Sequence, residues 1–348
     1  MNNSSASPKI LLVKLSSLGD VLHNLPIVWD IRSRIPDAQI DWVVEEAYVN
    51  LLTPLLTKDG FRGIDRIIPF GLRRWKKSLL SANSWREFFA FKNELQAVSY
   101  DIIIETQGLL KSALVCAFAK KNSGAVVSGL ANATEYSGYE PIARAFYNKS
   151  AQVPFQCHAV DRARYVTCSA LDWPLIGRGQ QVQFYPAGFE GSFGNIHIAG
   201  LKHPYILFFH STAREAKRWV NAHWVELGIE LSKLGYQVVL PWGNTSEQTI
   251  SNALASQIPN SLVPNAFSIE EAFSVIANSS LVVGVDTGLT HLAAVLNKPT
   301  VEIYCDSPRW KTEGYWSNKI RNIGDMQKPP EVKEALDASL GLLNAAKN

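Results

Sequence analysis

Twice along this chain a nearly unbroken apolar run stops at a short polar loop that leads straight into a segment of helical spacing. The first is Lys9-Ile10-Leu11-Leu12-Val13-Lys14-Leu15, followed by Ser16-Ser17-Leu18-Gly19-Asp20. The second is Tyr205–His210, followed by Ser211 to Trp219. A strand without polar alternation is covered on both faces, the condition of a parallel sheet flanked by helices. The same alternation continues behind each run. In the first half, strands are expected at Gln39–Glu45, Arg66–Phe70, Asp101–Thr106 and Ala125–Leu130. Helical spacing covers Val21 to Arg34, which Pro26 should kink or delay, and Trp85 to Ala97. In the second half, strands are expected at Gln237–Trp242, Leu281–Asp286 and Thr300–Tyr304. Helices are expected at Ala222–Leu234, Thr245–Gln257, Ser268 to Asn278, Leu289–Leu296 and Glu331–Ala346. Ser268-Ile269-Glu270-Glu271 has the spacing of a capping box.

The reading is therefore α/β, with two Rossmann-like doubly wound domains in succession. A length of 348 residues also exceeds the usual single core. Arg178–Gly200 lacks either periodicity and is rich in glycine, which marks it as the linker. Domains are expected over residues 1–180 and 181–330, with a last helix over 331–348. In such sheets ligands bind beyond the carboxyl ends of the strands, so two facing halves are expected to share one cleft.

Composition narrows the function classes. An apolar content of 47% and a charged content of 19% describe a soluble globular chain. No stretch approaches the ~20 apolar residues of a membrane span, and the first eight residues have no signal-peptide core. Cys116, Cys157, Cys168 and Cys305 have neither CxxC nor zinc-site spacing, which points to free thiols and a cytoplasmic location. The net charge of +3 divides unevenly. Residues 1–180 hold 21 Lys and Arg against 16 Asp and Glu, giving +5, and the remainder holds 13 against 15, giving −2. A basic first half suits an anionic partner such as a phosphorylated lipid or a membrane surface, or else reflects solvated faces alone. Nucleic acid is disfavoured, since no recognition module is present.

Five places could carry chemistry. Asp20 projects from the loop after the first strand, either as a first-turn helix acid or as a base. Val285-Asp286-Thr287-Gly288-Leu289-Thr290-His291 runs from a buried strand directly into a helix, a geometry that aims free N–H groups at an anion. There Thr287 can donate a hydroxyl, Gly288 admits a phosphate, Asp286 can accept from sugar hydroxyls and His291 lies one turn on. In His210 to Trp219, Thr212 and Lys217 could meet a diphosphate. Glu247, after the second strand of that half, is placed like the acids that hold a ribose diol. Arg73, Arg74, Lys76 and Lys77, with Lys111 after Glu105-Thr106-Gln107-Gly108, could receive phosphate or carboxylate groups or simply be solvated. The chain has no Asp-x-Asp pair, so no metal or other cofactor is expected.

These segments together resemble the ADP-heptose:lipopolysaccharide heptosyltransferases, most of all those of the heptosyltransferase I type. The likeness rests on LVKLSSLGDVLHNLP (12–26), DWVVEEAY (41–48), RRWKK (73–77), ETQGLLKSA (105–113), EPIARAFYN (140–148), HAVDRAR (158–164), HSTAREAKRW (210–219), LPWGN (240–244) and VDTGLTHLAA (285–294). The resemblance implies the GT-B architecture, with a last helix that returns to the first domain. It implies inverting transfer of L-glycero-D-manno-heptose from ADP-heptose, as donor substrate, to Kdo of Kdo2-lipid A, by a monomer on the inner face of the cytoplasmic membrane. By it, Asp20 is the catalytic carboxylate and Lys217 supports departure of ADP. Thr212, Lys217, Glu247, Asp286, Thr287, Gly288 and His291 contact the donor. Arg73, Arg74, Lys76, Lys77, Lys111 and His158 contact the acceptor. Ala213 stands where relatives often carry a threonine, and Tyr139 where a basic contact is expected. Two other readings are a heptose rather than Kdo acceptor, as in heptosyltransferases II and III, and a non-catalytic nucleotide-sugar or lipid-binding protein.

Overall fold

A computed structural model describes residues 7–58, 60–77, 81–178, 180–189, 193–194, 197–212 and 214–346. The chain divides into two compact units, Met1–Pro186 and Ala187–Asn348.

In the first unit the strands are β1 (Lys9–Val13), β2 (Gln39–Glu45), β3 (Arg66–Phe70), β4 (Tyr100–Glu105), β5 (Lys121–Leu130) and β6 (Lys149–Ala151). They form a parallel sheet in the order β3-β2-β1-β4-β5-β6. The helices are α1 (Leu18–Leu22), α2 (Pro26–Arg34), α3 (Val49–Leu52), α4 (Leu72–Lys77), α5 (Ala82–Gln96), α6 (Leu110–Phe118) and α7 (Ala159–Leu171). In the second unit the strands are β7 (Tyr205–Phe209), β8 (Gln237–Val239), β9 (Ser261–Leu262), β10 (Leu281–Val285), β11 (Thr300–Tyr304) and β12 (Ile320–Gly324). Their order, β12-β11-β10-β7-β8-β9, repeats that of the first sheet, again with parallel pairing. The helices are α8 (Asn221–Lys233), α9 (Thr245–Ala255), α10 (Ile269–Ala277), α11 (Gly288–Val295) and α12 (Val332–Ala345).

The central strands carry the apolar runs because both of their faces are covered. Ile10 to Val13, Ile206 to Phe208 and Leu281 to Val283 are at most 2% exposed. Order reverses between β1 and β4 in one sheet and between β7 and β10 in the other, opening a crevice at the carboxyl ends of each pair.

Several expectations change. Val21–Arg34 is two helices, because Pro26 has no N–H to continue the first and instead opens α2. Helices α6 and α7 and strands β6, β9 and β12 were not among the expected elements; α7 is a 13-residue helix that buries Arg162, Arg164 and Thr167, and β6 and β9 are only three and two residues long. The first unit extends six residues beyond the expected boundary at 180. Phe184 and Tyr185 are tied to it, by Trp29 Nε1 donating to the Phe184 carbonyl at 3.0 Å and Tyr185 Oη to the Leu51 carbonyl at 3.0 Å. Val332, Ala335, Leu342 and Leu343 of α12 join the core of the second unit with Ile206, Val283 and Val301. A buried leucine contributes about 1.5–3 kcal/mol, which holds this face to its own sheet. All four cysteines are buried free thiols. No helix among the described residues is long and apolar enough to cross a membrane.

Candidate active site

At the β1/β4 crevice of the first sheet, the loop Lys14–Ser17 carries the chain from β1 into α1. Ser17 caps α1, and its N–H and hydroxyl both donate to Asp20 Oδ2, at 3.1 and 2.9 Å. Asp20 is therefore a helix-capping acid, but only one of its oxygens is spent that way. Oδ1 faces Lys14 Nζ at 4.0 Å and Arg162 at 3.9 Å, and the side chain keeps 37% exposure. Burial alone would raise its pKa. The two cations and the Ser17 hydrogen bonds outweigh that and hold the carboxyl well below the usual carboxylate range. It stays ionised, with Oδ1 free of hydrogen bonds to Ser17 and more than a third of the side chain exposed.

The surrounding charges are built from the same strand ends. Burial pulls Lys14 down to about 8, against the attraction of Asp20 and Glu105 and helped by Arg162 and Lys111. Lys14 Nζ also reaches the Thr106 carbonyl at 3.4 Å. Gln107 Oε1 accepts from the Leu15 and Ser16 N–H groups, each at 3.2 Å, so the β4 loop fixes the β1 loop. Glu105 accepts from Gln107 and Gly108 N–H at 2.8 and 3.0 Å and from Tyr147 Oη at 2.5 Å. Gly108 sits at φ +75°, where a side chain would be strained.

The expected acceptor cations divide into committed and uncommitted. Lys111 Nζ donates to Ser16 Oγ at 2.9 Å and to Glu45 Oε1 at 3.0 Å, and Arg73 Nε pairs with Glu45 Oε2 at 2.6 Å. Arg74 pairs with Glu46 at 2.5 Å and with Glu87. Lys76 and Lys77 have no ion-pair partner among the described residues, and both are exposed. His158 is 1% exposed and caps α7, its Nδ1 accepting from Val160 N–H at 3.2 Å, so its imidazole is not presented at the surface. Tyr139 Oη donates to the Ala131 carbonyl at 3.0 Å. Ala213 lies outside the described residues.

At the β7/β10 crevice of the second sheet the geometry is tighter. Asp286 ends β10 and is 8% exposed. Its Oδ2 accepts from Lys217 Nζ at 2.5 Å, and its Oδ1 meets His291 Nε2 at 2.9 Å and Thr312 Oγ1 at 3.3 Å. His291 Nδ1 in turn meets Glu302 Oε1 at 3.0 Å. Burial would lower the His291 pKa, but Glu302 and Asp286 push it up to about 10, so it stays an imidazolium. Burial would raise Asp286, but His291 and Lys217 hold it well below the usual range. Both oxygens of Asp286 thus meet protein groups, Oδ2 the Lys217 ammonium and Oδ1 His291 and Thr312.

Around that ion cluster lie the other expected donor contacts. Thr287 caps α11, and the first-turn N–H groups from Gly288 onward have no helical carbonyl to bond. Gly284 admits the close approach of α11, since a Cβ there would lie 2.0 Å from Thr290 Oγ1. Thr212 Oγ1 is directed at the Asp286 carbonyl, 3.5 Å away. Glu247, at the start of α9 beyond β8, accepts from Gly243 N–H at 2.8 Å and stays near the surface.

Reasoning from sequence missed Lys14, Arg162, Thr312 and Glu302. Glu302 left a signal, a carboxylate in the middle of the otherwise apolar Thr300–Tyr304 run. It is fully buried and also accepts from Tyr304 Oη at 3.0 Å and Gly314 N–H at 2.9 Å. Among the described residues no group of three or more His, Cys, Asp or Glu side chains is placed to hold a metal ion.

Residues 88–339 match the profile of glycosyltransferase family 9 (heptosyltransferase). A lipopolysaccharide heptosyltransferase 1 from Pseudomonas aeruginosa is 35% identical over 326 residues, spanning 94% of this chain and 86% of the relative. The solved structure of the E. coli heptosyltransferase WaaC with ADP is 32% identical with a TM-score of 0.76, over 97% of this chain and 98% of that one. The E. coli enzyme solved with ADP-2-deoxy-2-fluoro heptose is 31% identical with a TM-score of 0.74, over 98% of this chain and 100% of that one.

Proposed function

The chain belongs to glycosyltransferase family 9, the heptosyltransferases, and from that premise we propose that it transfers L-glycero-D-manno-heptose from ADP-heptose to Kdo of Kdo2-lipid A in lipopolysaccharide inner-core synthesis. The first unit takes the acceptor and the second takes the donor. The observation that carries this reading is the Lys217–Asp286–His291 cluster, which holds the Lys217 ammonium beside the N-terminus of α11, where the free N–H groups can meet a diphosphate.

In the reaction the acceptor hydroxyl gives its proton to Asp20 as its oxygen forms a bond to the anomeric carbon. The bond from that carbon to the β-phosphate oxygen breaks on the opposite face, and its electron pair leaves with ADP. Attack on the face opposite the departing diphosphate inverts the anomeric configuration, through a transition state of oxocarbenium character. Lys217 and the first-turn N–H groups of α11 take up the charge that grows on the diphosphate. Thr212 lies along the same edge, and Glu247 supports the ribose. These protein groups perform the charge stabilisation, so no metal or cofactor is assigned a step. Lys111, Arg73 and Arg74, held in place by Glu45, Glu46 and Glu87, and the exposed Lys76 and Lys77 would meet the acceptor's acidic groups. Because Kdo2-lipid A is a lipid, this reading puts the protein at the inner face of the cytoplasmic membrane, and no helix among the described residues is long and apolar enough to cross it.

The test is turnover of purified protein with ADP-heptose and Kdo2-lipid A, with ADP release and heptosylated product both measured. The reading fails if a folded wild-type protein makes neither, or if another nucleotide sugar is the better donor.

A further inference from the structure

On one side of the first unit, a string of aromatic rings runs from the core out to solvent. Phe70, Trp75 and Phe91 are buried and mutually in contact, with ring centroids 5.1 to 5.7 Å apart. Phe88 of α5 meets Trp75 at 5.8 Å and Phe118 of α6 at 5.6 Å. Phe88 then contacts Trp85 at 6.2 Å and Phe89 at 5.9 Å, and these last two are 54% and 52% exposed. Leu114 of α6 adds 37% exposure beside them. An apolar groove of about 440 Å³ opens on this side, lined by Phe88, Leu114, Val115 and Phe118, with Lys76 and Lys111 among its polar residues.

Exposed single apolar residues are ordinary, but this set is continuous and rigidly backed by the core. Trp85, Phe88, Phe89 and Lys92 fall at helix spacings of three and four, so α5 presents one aromatic stripe with a cation along it. Arg86 flanks that stripe and Lys76 and Lys77 stand at the preceding helix, in a unit whose charge excess is +5. The acids on α5 are Glu87, which shares Arg74 with Glu46, and Glu94. Aromatic rings backed by cations are the chemistry of a membrane interface with anionic headgroups, whereas a protein-protein core is depleted in lysine.

We infer that the α5–α6 face docks this protein on an anionic lipid bilayer, with Trp85 and Phe89 entering the headgroup boundary and Lys76, Lys77, Arg86 and Lys92 facing the lipid charge. The inference rests on the reading that the acceptor is carried by a lipid, and it names the surface that brings the enzyme to it.

The test is co-sedimentation of the full-length protein with vesicles of phosphatidylcholine alone and of phosphatidylcholine mixed with phosphatidylglycerol. The wild type should bind the anionic vesicles at least about tenfold more tightly. Trp85→Ser with Phe89→Ser should weaken that binding by about tenfold, since it removes the buried apolar area at the interface. Arg86→Glu with Lys92→Glu should lose most of the preference for phosphatidylglycerol. Heptose transfer to an acyl-free, water-soluble Kdo acceptor should stay within about twofold in both variants. Unchanged vesicle binding by the Trp85/Phe89 variant overturns the inference. So does a lipid-free dimer in sedimentation velocity that this variant dissociates, because the face would then join two copies. If the wild type transfers no heptose yet its vesicle binding depends on Trp85 and Phe89, docking stands and the assigned reaction falls.

Discussion

Asp20 and Asp286 stand at the switch points of two sheets with the same strand order, yet their surroundings differ in kind. Asp20 faces two cations at about 4 Å across a partly open side, with more than a third of its side chain exposed. Asp286 is closed in by Lys217, His291 and Thr312 at hydrogen-bond distance. A carboxylate held by charge at a distance is ionised but still has an oxygen to offer to a substrate. One whose oxygens are both in direct contact with buried donors has become part of the framework. The same residue type at the same place in the same topology is thus partly open in one unit and closed in by protein groups in the other.

That contrast can be broken by the paired replacements Asp20→Asn and Asp286→Asn. Asn at 20 can still accept from the Ser17 N–H, so the fold should survive while kcat falls by about 10²–10⁴-fold. Asn at 286 leaves Lys217 and an imidazolium without their carboxylate, and unfolding free energy should drop by about 3–5 kcal/mol. Urea denaturation of both variants decides it, and equal stabilities would dissolve the distinction. Next in size, Lys217→Ala should reduce kcat/KM by about 10²–10³-fold, as for other groups that stabilise transition-state charge. An unchanged kcat/KM would leave Lys217 as a partner of Asp286 and nothing more. Gly284→Ala should cost about 1–3 kcal/mol by pushing α11 away from β10, with activity falling alongside Tm.

The smallest effect is the most diagnostic of the buried relay. The pKa of His291 is raised from an ordinary 6.5 to about 10, so the native state binds its proton more tightly than the unfolded chain does. Its stabilising contribution is complete below about pH 6.5 and is lost as pH rises through about 10. Glu302→Gln removes the first of the charges that raise it, and the alkaline loss of stability should begin at lower pH. Urea midpoints measured across that window check this, and an unshifted profile would detach Glu302 from the histidine.

The parts of this site that were legible in sequence are those written in consecutive residues. Asp20, the Thr287-Gly288 turn and the cation run of α4 each follow from a strand, a loop and a helix within a short stretch. The division of the cations was not legible, because Glu45 and Arg73 meet only when β2 and α4 lie side by side. The packing partners of α12 were not legible for a related reason. Its apolar face showed that it must be buried, but nothing in a helical period says against which sheet.

Two successive doubly wound halves and the loops at their strand ends were legible in the sequence, since apolar period and glycine position are local properties. Tertiary structure alone decided which carboxylate is open and which is locked. Lys217 and Asp286 are 69 residues apart, and Lys111 and Glu45 are 66 apart. Their charges interact strongly only because parallel strands bring distant loops to one edge and exclude the water that would otherwise screen them.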